Sequence, residues 1–387
     1  MKIKKIGAKI VKDSRNEDTI LVWIKTSKGK FFTTSPSGKS KGNYEVESYL
    51  RDLKKEIEYI EKLKLSELNI EKFEDLKKVE KYVKLGGNSL FALEASLLKA
   101  LAKENEKELY EFLGGKKTNI GSVGNAVGGG LHSQSINNKK PDFQEFHFIS
   151  KTDNFYHNVK INGIAYKIIG RLLSSKYKND EGAWKTSFSN EEILEKMKLV
   201  QEIMLKKGIE INIGLDIASD SFFNRKYFYK NPNMVFNKKG QLEYIKNLIK
   251  KYDIFYIEDP LEENDFEGFS YLLKETEDKC LIVGDDLIAT NPERLKKAIK
   301  KNSINAVIIK PNQIGSLIKM KETIAIAKKY NIKTIISHRS GETKDSTIAD
   351  FAVGFGIDYI KTGIYGKFRE SKLKKIIKIE RDLKNRH

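Results

Sequence analysis

Six polar residues close apolar runs in the last two thirds of the chain. Asp216 ends INIGLD, Glu258 falls in FYIED, Asp285 in LIVGDD and Lys310 ends NAVIIK, while His338 follows KTIIS and Lys361 falls in DYIKT. Their successive spacings are 42, 27, 25, 28 and 23 residues. The shorter intervals each match one strand–helix unit. Three carboxylates brought together would repel one another and raise each other's pKa. A hard divalent cation removes that conflict, and the oxygen-only set of Asp216, Glu258 and Asp285 suits Mg²⁺. Taken singly, the same acids could cap the following helices or pair with lysines. Lys310 and Lys361 would face the same cavity. Beside bound cations a lysine is pushed toward its neutral form and can act as a base. Taken alone, each lysine reads equally well as the partner of a carboxylate.

The segment SHRSGE (337–342) comes at a strand end and is expected to open a helix through DSTIADFAVGFG. Helix amides, an arginine fork and hydroxyls together make a phosphate or carboxylate site. Two Gly-rich stretches, Gly128-Gly129-Gly130 and 36–42 (PSGKSKG), read as mobile loops. Neither has the spacing of a P-loop, so nucleotide binding gains little support. His132 follows the triple glycine, with Gln144 and Glu145 twelve and thirteen residues further on. Asn179-Asp180-Glu181-Gly182 reads as a polar turn, and spacing gives Glu181 no distinction.

The elements that must hold these residues change rhythm once. Residues 3–11, 19–26 and 30–35 alternate with β-branched and aromatic residues, and Ser27-Lys28-Gly29 reads as a hairpin turn. Helical spacing follows in VESYLRDLKKEIEYIEKL (46–63), SLFALEASLLKALAKEN (89–105) and ELYEFL (108–113), the last closed by Gly114-Gly115. This describes an α+β domain over residues 1–117. From 118 to 387 short β runs alternate with amphipathic helices, one starting at Asn291-Pro292-Glu293. Such alternation means a parallel sheet, open or closed. In a doubly wound sheet the strand-end charges would spread along an edge. In a closed barrel they converge on one face, which favours the barrel.

Composition narrows the function. Of 387 residues 39 % are hydrophobic and 10 % aromatic, enough for a core. Apolar runs fall short of the roughly 18 residues of a membrane span, and the N-terminal MKIKKIGAKIVK lacks a secretory h-region. One cysteine, Cys280, excludes a disulfide framework or a Cys-rich zinc site. A soluble cytoplasmic protein is expected. The net charge is +19, from 72 Lys and Arg against 53 Asp and Glu. Nine of the basic residues are arginine and the other 63 lysine, scattered along every amphipathic stretch. Base recognition favours Arg forks and aromatic platforms, so a solvated surface is the reading, with no specific nucleic-acid role.

Over nearly its whole length the chain resembles enolase. The matching segments, in order, are DSR (13–15), PSGKSKGNYE (36–45), GGGLH (128–132), QEF (144–146), DEG (180–182), GLDIAS (214–219), IEDP (257–260), GDDL (284–287), IIKPNQIGS (308–316), SHRSGETKDSTIADFAVG (337–354) and IKTG (360–363). The resemblance implies an N-terminal α+β domain and a C-terminal eight-stranded αβ barrel with an irregular start and one antiparallel strand. It implies a Mg²⁺-dependent lyase that interconverts 2-phosphoglycerate and phosphoenolpyruvate. Lys310 matches the base and Glu181 the acid, with Glu145 and Gln144 beside it. Asp216, Glu258 and Asp285 match the ligands of a first Mg²⁺, and Ser40 the serine that joins a second ion arriving with substrate. Arg339 and Ser340 match phosphate contacts, Lys361 a carboxylate contact, and His132 a histidine that closes over substrate. His338 falls within the matched SHRSGE. A homo-oligomer, at least a dimer, is also implied.

The chain departs from the family pattern after DSR, at Gly128 where Asn is usual, at Ala183-Trp184 after DEG, and in IYGKFRES after IKTG. Two alternatives stand beside enolase itself. One is a related acid dehydratase or epimerase with a changed substrate; the other is an enolase-like protein of low turnover with a binding role.

Overall fold

A computed structural model gives the fold, with residues 1–39, 41–277 and 279–385 described. Ser40 lies outside the described residues. β1 (Lys5–Lys12), β2 (Asp18–Lys25) and β3 (Lys30–Thr34) form an antiparallel meander in the order 1-2-3. Alternation drives it: Ile20, Val22 and Ile24 are fully buried on one face. The helix Gly87–Glu104 packs on that face and is buried almost all round, as its composition requires. Ser96 Oγ donates to the Val22 carbonyl at 3.0 Å across this contact.

The helix expected over 46–63 forms only at Leu53–Glu61, where Asp52 accepts from the Lys55 amide. The stretch before it gives its backbone groups elsewhere. Val46 N donates to the Gln313 carbonyl, while the Glu47 and Ser48 carbonyls accept from Gly87 and Asn88. Backbone groups committed to distant partners cannot also close helical turns. This stretch therefore ties the N-terminal meander and its helices to the barrel.

The barrel strands are β4 (Gly121–Gly128), β5 (Glu145–Ser150) and β6 (Asn212–Asp216), followed after a small antiparallel sheet by the rest. That small sheet comprises β7 (Phe223–Asn224), β8 (Lys226–Lys230) and β9 (Asn233–Phe236), and its aromatic residues hid it from a reading based on βα alternation. β10 (Ile254–Glu258), β11 (Leu281–Gly284), β12 (Ala306–Ile309), β13 (Lys333–Ser337) and β14 (Tyr359–Gly363) complete the ring. The closed order is β4-β5-β6-β10-β11-β12-β13-β14. β5 runs antiparallel to both neighbours and every other pairing is parallel. Val123, Ile149, Tyr256, Val283, Ile308, Ile335 and Tyr359 fill the barrel interior as a separate apolar cluster. Alternate residues point inward from every strand, so the barrel is packed rather than hollow.

The helix at Pro292–Lys300 starts as expected, with Asn291 accepting from the Glu293 amide and Pro292 in the first turn. SHRSGE does not open a helix. The next helix is Thr347–Gly354, eight residues beyond Arg339, with residues 338–346 in a loop. Helix N-terminal amides are thus not at hand for a group bound at Arg339. Among the described residues no helix is long and apolar enough to cross a membrane.

Candidate active site

Parallel strands deliver their C-terminal ends to one mouth. Asp216 ends β6, Glu258 ends β10 and Lys361 sits in β14, while Asp285, Lys310 and His338 each follow β11, β12 and β13 by one residue. β5 runs the other way, so its first residue, Glu145, arrives at the same mouth and pairs directly with Asp216. Every described site residue expected from the sequence, except Glu258, lines one cavity of about 220 Å³. Glu258 lies buried beside it, bonded to Lys361 and to the Tyr256 hydroxyl.

Lys361 Nζ is the hub of the floor. It lies 2.8 Å from Asp216 Oδ2, 2.8 Å from Glu258 Oε2 and 3.4 Å from Glu145 Oε2. Burial pushes its pKa down, but the three carboxylates outweigh burial and hold it well above the ordinary lysine range. Lys310 pairs with Asp285, which also accepts from Gln313 Nε2 at 3.1 Å. Burial depresses the Lys310 pKa, yet Asp285 more than offsets it and the net direction is upward. Both lysines therefore adopt the carboxylate-paired arrangement, and the expected drift toward neutral amines is not what these contacts produce. Glu258 is pushed well up by burial and by facing Asp216. One ammonium shared by three acids leaves their repulsion only partly relieved.

The ligand atoms that fall within 4.8 Å of one another form two groups among the described residues: His132, Glu145 and Glu181, and Asp259, Asp285 and Asp286. The expected trio is split, because Asp216 and Glu258 turn onto Lys361 while Asp285 turns onto Lys310. Asp259 and Asp286 were missed from sequence. Asp259 accepts from the Asp285 and Asp286 amides at 3.0 and 2.7 Å, so it sets the turn that aims Asp285. An acid directly after a strand-end acid was the available signal.

Glu181 reaches the opposite wall. Asn125 Nδ2 of β4 donates to Glu181 Oε2 at 2.9 Å, and His132 Nδ1 lies 3.3 Å from Oε1. Burial lowers the His132 pKa, but Glu181 and Glu145 outweigh it and lift it to about 9. His132 is thus a cation at neutral pH. Burial raises the Glu181 pKa and Glu145 adds to that, yet His132 turns the net direction downward.

The departures from the family pattern hold this wall in place. Asn179 Oδ1 accepts from the Glu181 and Ala183 amides at 3.0 and 2.9 Å. A Cβ on residue 128 would lie 2.1 Å from Asn179 Nδ2, so Gly128 makes room for that side chain. Gly182 has φ +81°, and its Cβ would sit 2.4 Å from the Tyr365 carbonyl. Tyr166 stacks with both Trp184 and Tyr365, and its hydroxyl donates to the Gly182 carbonyl at 2.6 Å.

The N-terminal domain closes the remaining side. Ser37 and Gly341 exchange backbone hydrogen bonds at 2.8 and 2.9 Å, which pins the start of the 36–42 loop to SHRSGE. Glu45 takes a two-point contact from the Arg339 guanidinium at 2.9 and 3.0 Å. Arg15 Nη1 donates to Ser340 Oγ at 3.1 Å. The arginine fork is therefore engaged by Glu45, a partner the sequence did not reveal because 294 residues separate them.

Comparison with known proteins decides the family. The family description "Enolase, C-terminal TIM barrel domain" matches residues 117–387. The chain is 35% identical over 398 residues to the enolase of Thermoplasma acidophilum, covering 98% of both chains. It is 35% identical over 405 residues to the enolase of Methanothermobacter thermautotrophicus, with 98% of this chain and 97% of that one covered. For the enolase of Methanosphaera stadtmanae the identity is 36% over 407 residues, at 99% and 98% coverage.

The chain belongs to the enolase family. It is an enzyme, a phosphopyruvate hydratase of the carbon–oxygen lyase class. Enolases imply a divalent metal, and the oxygen donors here suit one, with Asp259, Asp285 and Asp286 close enough to share an ion while Asp216 and Glu258 would have to turn from Lys361. The cavity wall carries eight carboxylates against five lysine or arginine cations, although the whole chain is +19. An anionic substrate would be repelled from such a wall unless further positive charge accompanied it. The carboxylates offer oxygen ligands only, the chemistry of a hard cation.

Proposed function

We propose that this enolase interconverts 2-phosphoglycerate with phosphoenolpyruvate and water, using Mg²⁺, with Lys310 as the base and Glu181 as the acid. The observation that carries the reading is their placement across the barrel mouth. Lys310 follows β12, which stands opposite β5 in the ring of eight strands, while Glu181 is held by Asn125 of β4 and by His132. A substrate between them presents its α-hydrogen to one wall and its leaving hydroxyl to the other.

One divalent ion on Asp216, Glu258 and Asp285 would neutralise those acids and stabilise the negative charge that develops on a substrate carboxylate. Freed of Asp285, Lys310 keeps burial and the Arg339 and Lys361 charges, all of which push its pKa down toward that of a base. Glu181 stands where the departing hydroxyl needs a proton, flanked by His132 and Glu145; in the free site the His132 pair holds its pKa down, so as the acid it must take up its proton when substrate binds. Lys361 orients the substrate carboxylate. Arg339 and Ser340 hold the phosphate, with Gln144 and His338 completing the wall. The resemblance extends the proposal to a second Mg²⁺ joined by Ser40, and to a homodimer or larger assembly in the cytoplasm.

Turnover of 2-phosphoglycerate followed by absorbance tests the metal directly. Exhaustive chelation is expected to abolish product formation and added Mg²⁺ to restore it. Undiminished turnover after chelation would remove the metal from the reading. A second expectation concerns the arginine. Arg339→Lys keeps the charge but loses the planar fork that would grip the phosphate once Glu45 releases it, so kcat/KM should fall roughly 10- to 100-fold, the equivalent of about 1.5–3 kcal/mol for a charge-assisted bond. Unchanged steady-state constants in that variant would place the phosphate elsewhere.

A further inference from the structure

The helix Lys367–Lys384 sends two buried cations under the SHRSGET loop from its first two turns. Lys372 Nζ bonds the Thr343 carbonyl and pairs with Glu342. Arg369 is 2 % exposed and reaches further in. Its Nη2 donates to the Ser340 carbonyl at 2.7 Å, and its Nη1 to the Arg339 carbonyl. Nη1 also lies 2.9 Å from His338 Nδ1. Arg369 lies in the IYGKFRES segment that departs from the family pattern, and none of the family roles assigned above falls on it.

The contact with His338 has only one chemical form. A guanidinium has five N–H donors and no acceptor. Nδ1 must therefore be the acceptor, which places the imidazole proton on Nε2. We propose that Arg369 is a positioning residue that fixes His338 as the neutral Nε2–H tautomer, so that it meets an anionic substrate as a hydrogen-bond donor and not as a base. Only the words "anionic substrate" rest on the proposed function; the tautomer does not.

The surroundings agree. Burial and the Arg369 charge hold the His338 pKa well below the ordinary imidazole range, against Glu181 and Glu145 and with the help of Lys361. The backbone is fixed too: His338 N donates to the Lys361 carbonyl at 3.0 Å, so the ring cannot be carried away from Arg369 without breaking the β13–β14 edge. Arg369 thus acts on the ring from the side away from the cavity. The usual second partner of a functional histidine is a carboxylate, which stabilises the imidazolium. A guanidinium in that position does the opposite.

Side-chain ¹⁵N NMR of histidine-labelled protein reads the tautomer without turnover, and the chain has five histidines. His338→Gln assigns the signal by its loss. The wild-type ring should show a protonated Nε2 and an unprotonated Nδ1, unchanged between pH 6 and 8. Protonated Nδ1, or a cationic ring at pH 7, would overturn the proposal in the wild-type protein alone. Arg369→Gln can still donate one hydrogen bond but lacks charge, so the tautomer should persist while the ring titrates at higher pH. Arg369→Met, folded by its melting curve, should lose the fixed tautomer. An unchanged His338 spectrum in a folded Arg369→Met protein would show that Arg369 only ties down the loop. Loss of turnover with an intact tautomer would count against the proposed reaction instead, so the two failures are distinct.

Discussion

Replacing Lys310 with alanine is expected to abolish both the exchange of the substrate α-proton with solvent deuterium and net dehydration. The reason is positional. Lys310 projects from the residue after β12 and is largely buried, with Asp285 as its carboxylate partner. Among the described residues that line the cavity, the other amines are engaged elsewhere: Lys361 with Asp216, Glu258 and Glu145 on the floor, Lys39 with Asp180 and Lys41 with Glu47. A positioned base contributes roughly 10²–10⁴-fold, and its complete removal should cost at least that. The substitution also strips Asp285 of its charged partner, leaving Gln313 Nε2 as a remaining donor. Breaking a buried pair from one side is destabilising, so the melting curve must be read with Mg²⁺ present. Exchange that survives in a folded Lys310→Ala protein would exclude Lys310 as the base, and with it the main reason to carry roles residue by residue from the family.

The sequence exposed those parts of the site that are tied to strand ends. Asp216, Glu258, Asp285, Lys310, His338 and Lys361 were found because β-branched runs mark the strands and a parallel barrel brings their ends together. What local pattern could not show depends on direction or on long sequence separation. Glu145 and the antiparallel β5 that carries it to the mouth were legible through the family resemblance alone, because strand direction has no local signature. Glu45 and Arg339 meet across 294 residues, and Arg369 approaches from behind the site on an amphipathic helix that looks like any other. The helical spacing in residues 46–52 was real, but their backbone groups went to Gly87, Asn88 and Gln313. The pairing of both lysines with acids was one of two open readings, and spacing alone does not rank a lysine's partners.

Glu181→Gln is expected to separate the two chemical events. The amide keeps the shape of the side chain but cannot readily deliver a proton. It should retain measurable α-proton exchange while dehydration falls roughly 10²–10⁴-fold. The site can accept the change. Asn125 Oδ1 is buried without a hydrogen-bond partner, so a turn of the Asn125 amide lets it accept from glutamine while the glutamine oxygen faces His132. Removing the carboxylate also removes the largest upward influence on His132, whose pKa should fall from about 9 toward the ordinary imidazole range. Glu145, 3.7 Å from His132 Nδ1, limits that fall. Exchange should therefore be measured below pH 6, where the flanking imidazole stays cationic in both proteins, as well as at pH 8, where it differs. If exchange and dehydration drop together at both pH values, Glu181 serves to hold the wall that contains Asn125, His132 and the Gly182 turn, and the proton for the leaving hydroxyl comes from another group. If exchange survives at pH below 6 and fails at pH 8, the cation on His132 is needed for proton removal across the cavity, while Glu181 remains the acid.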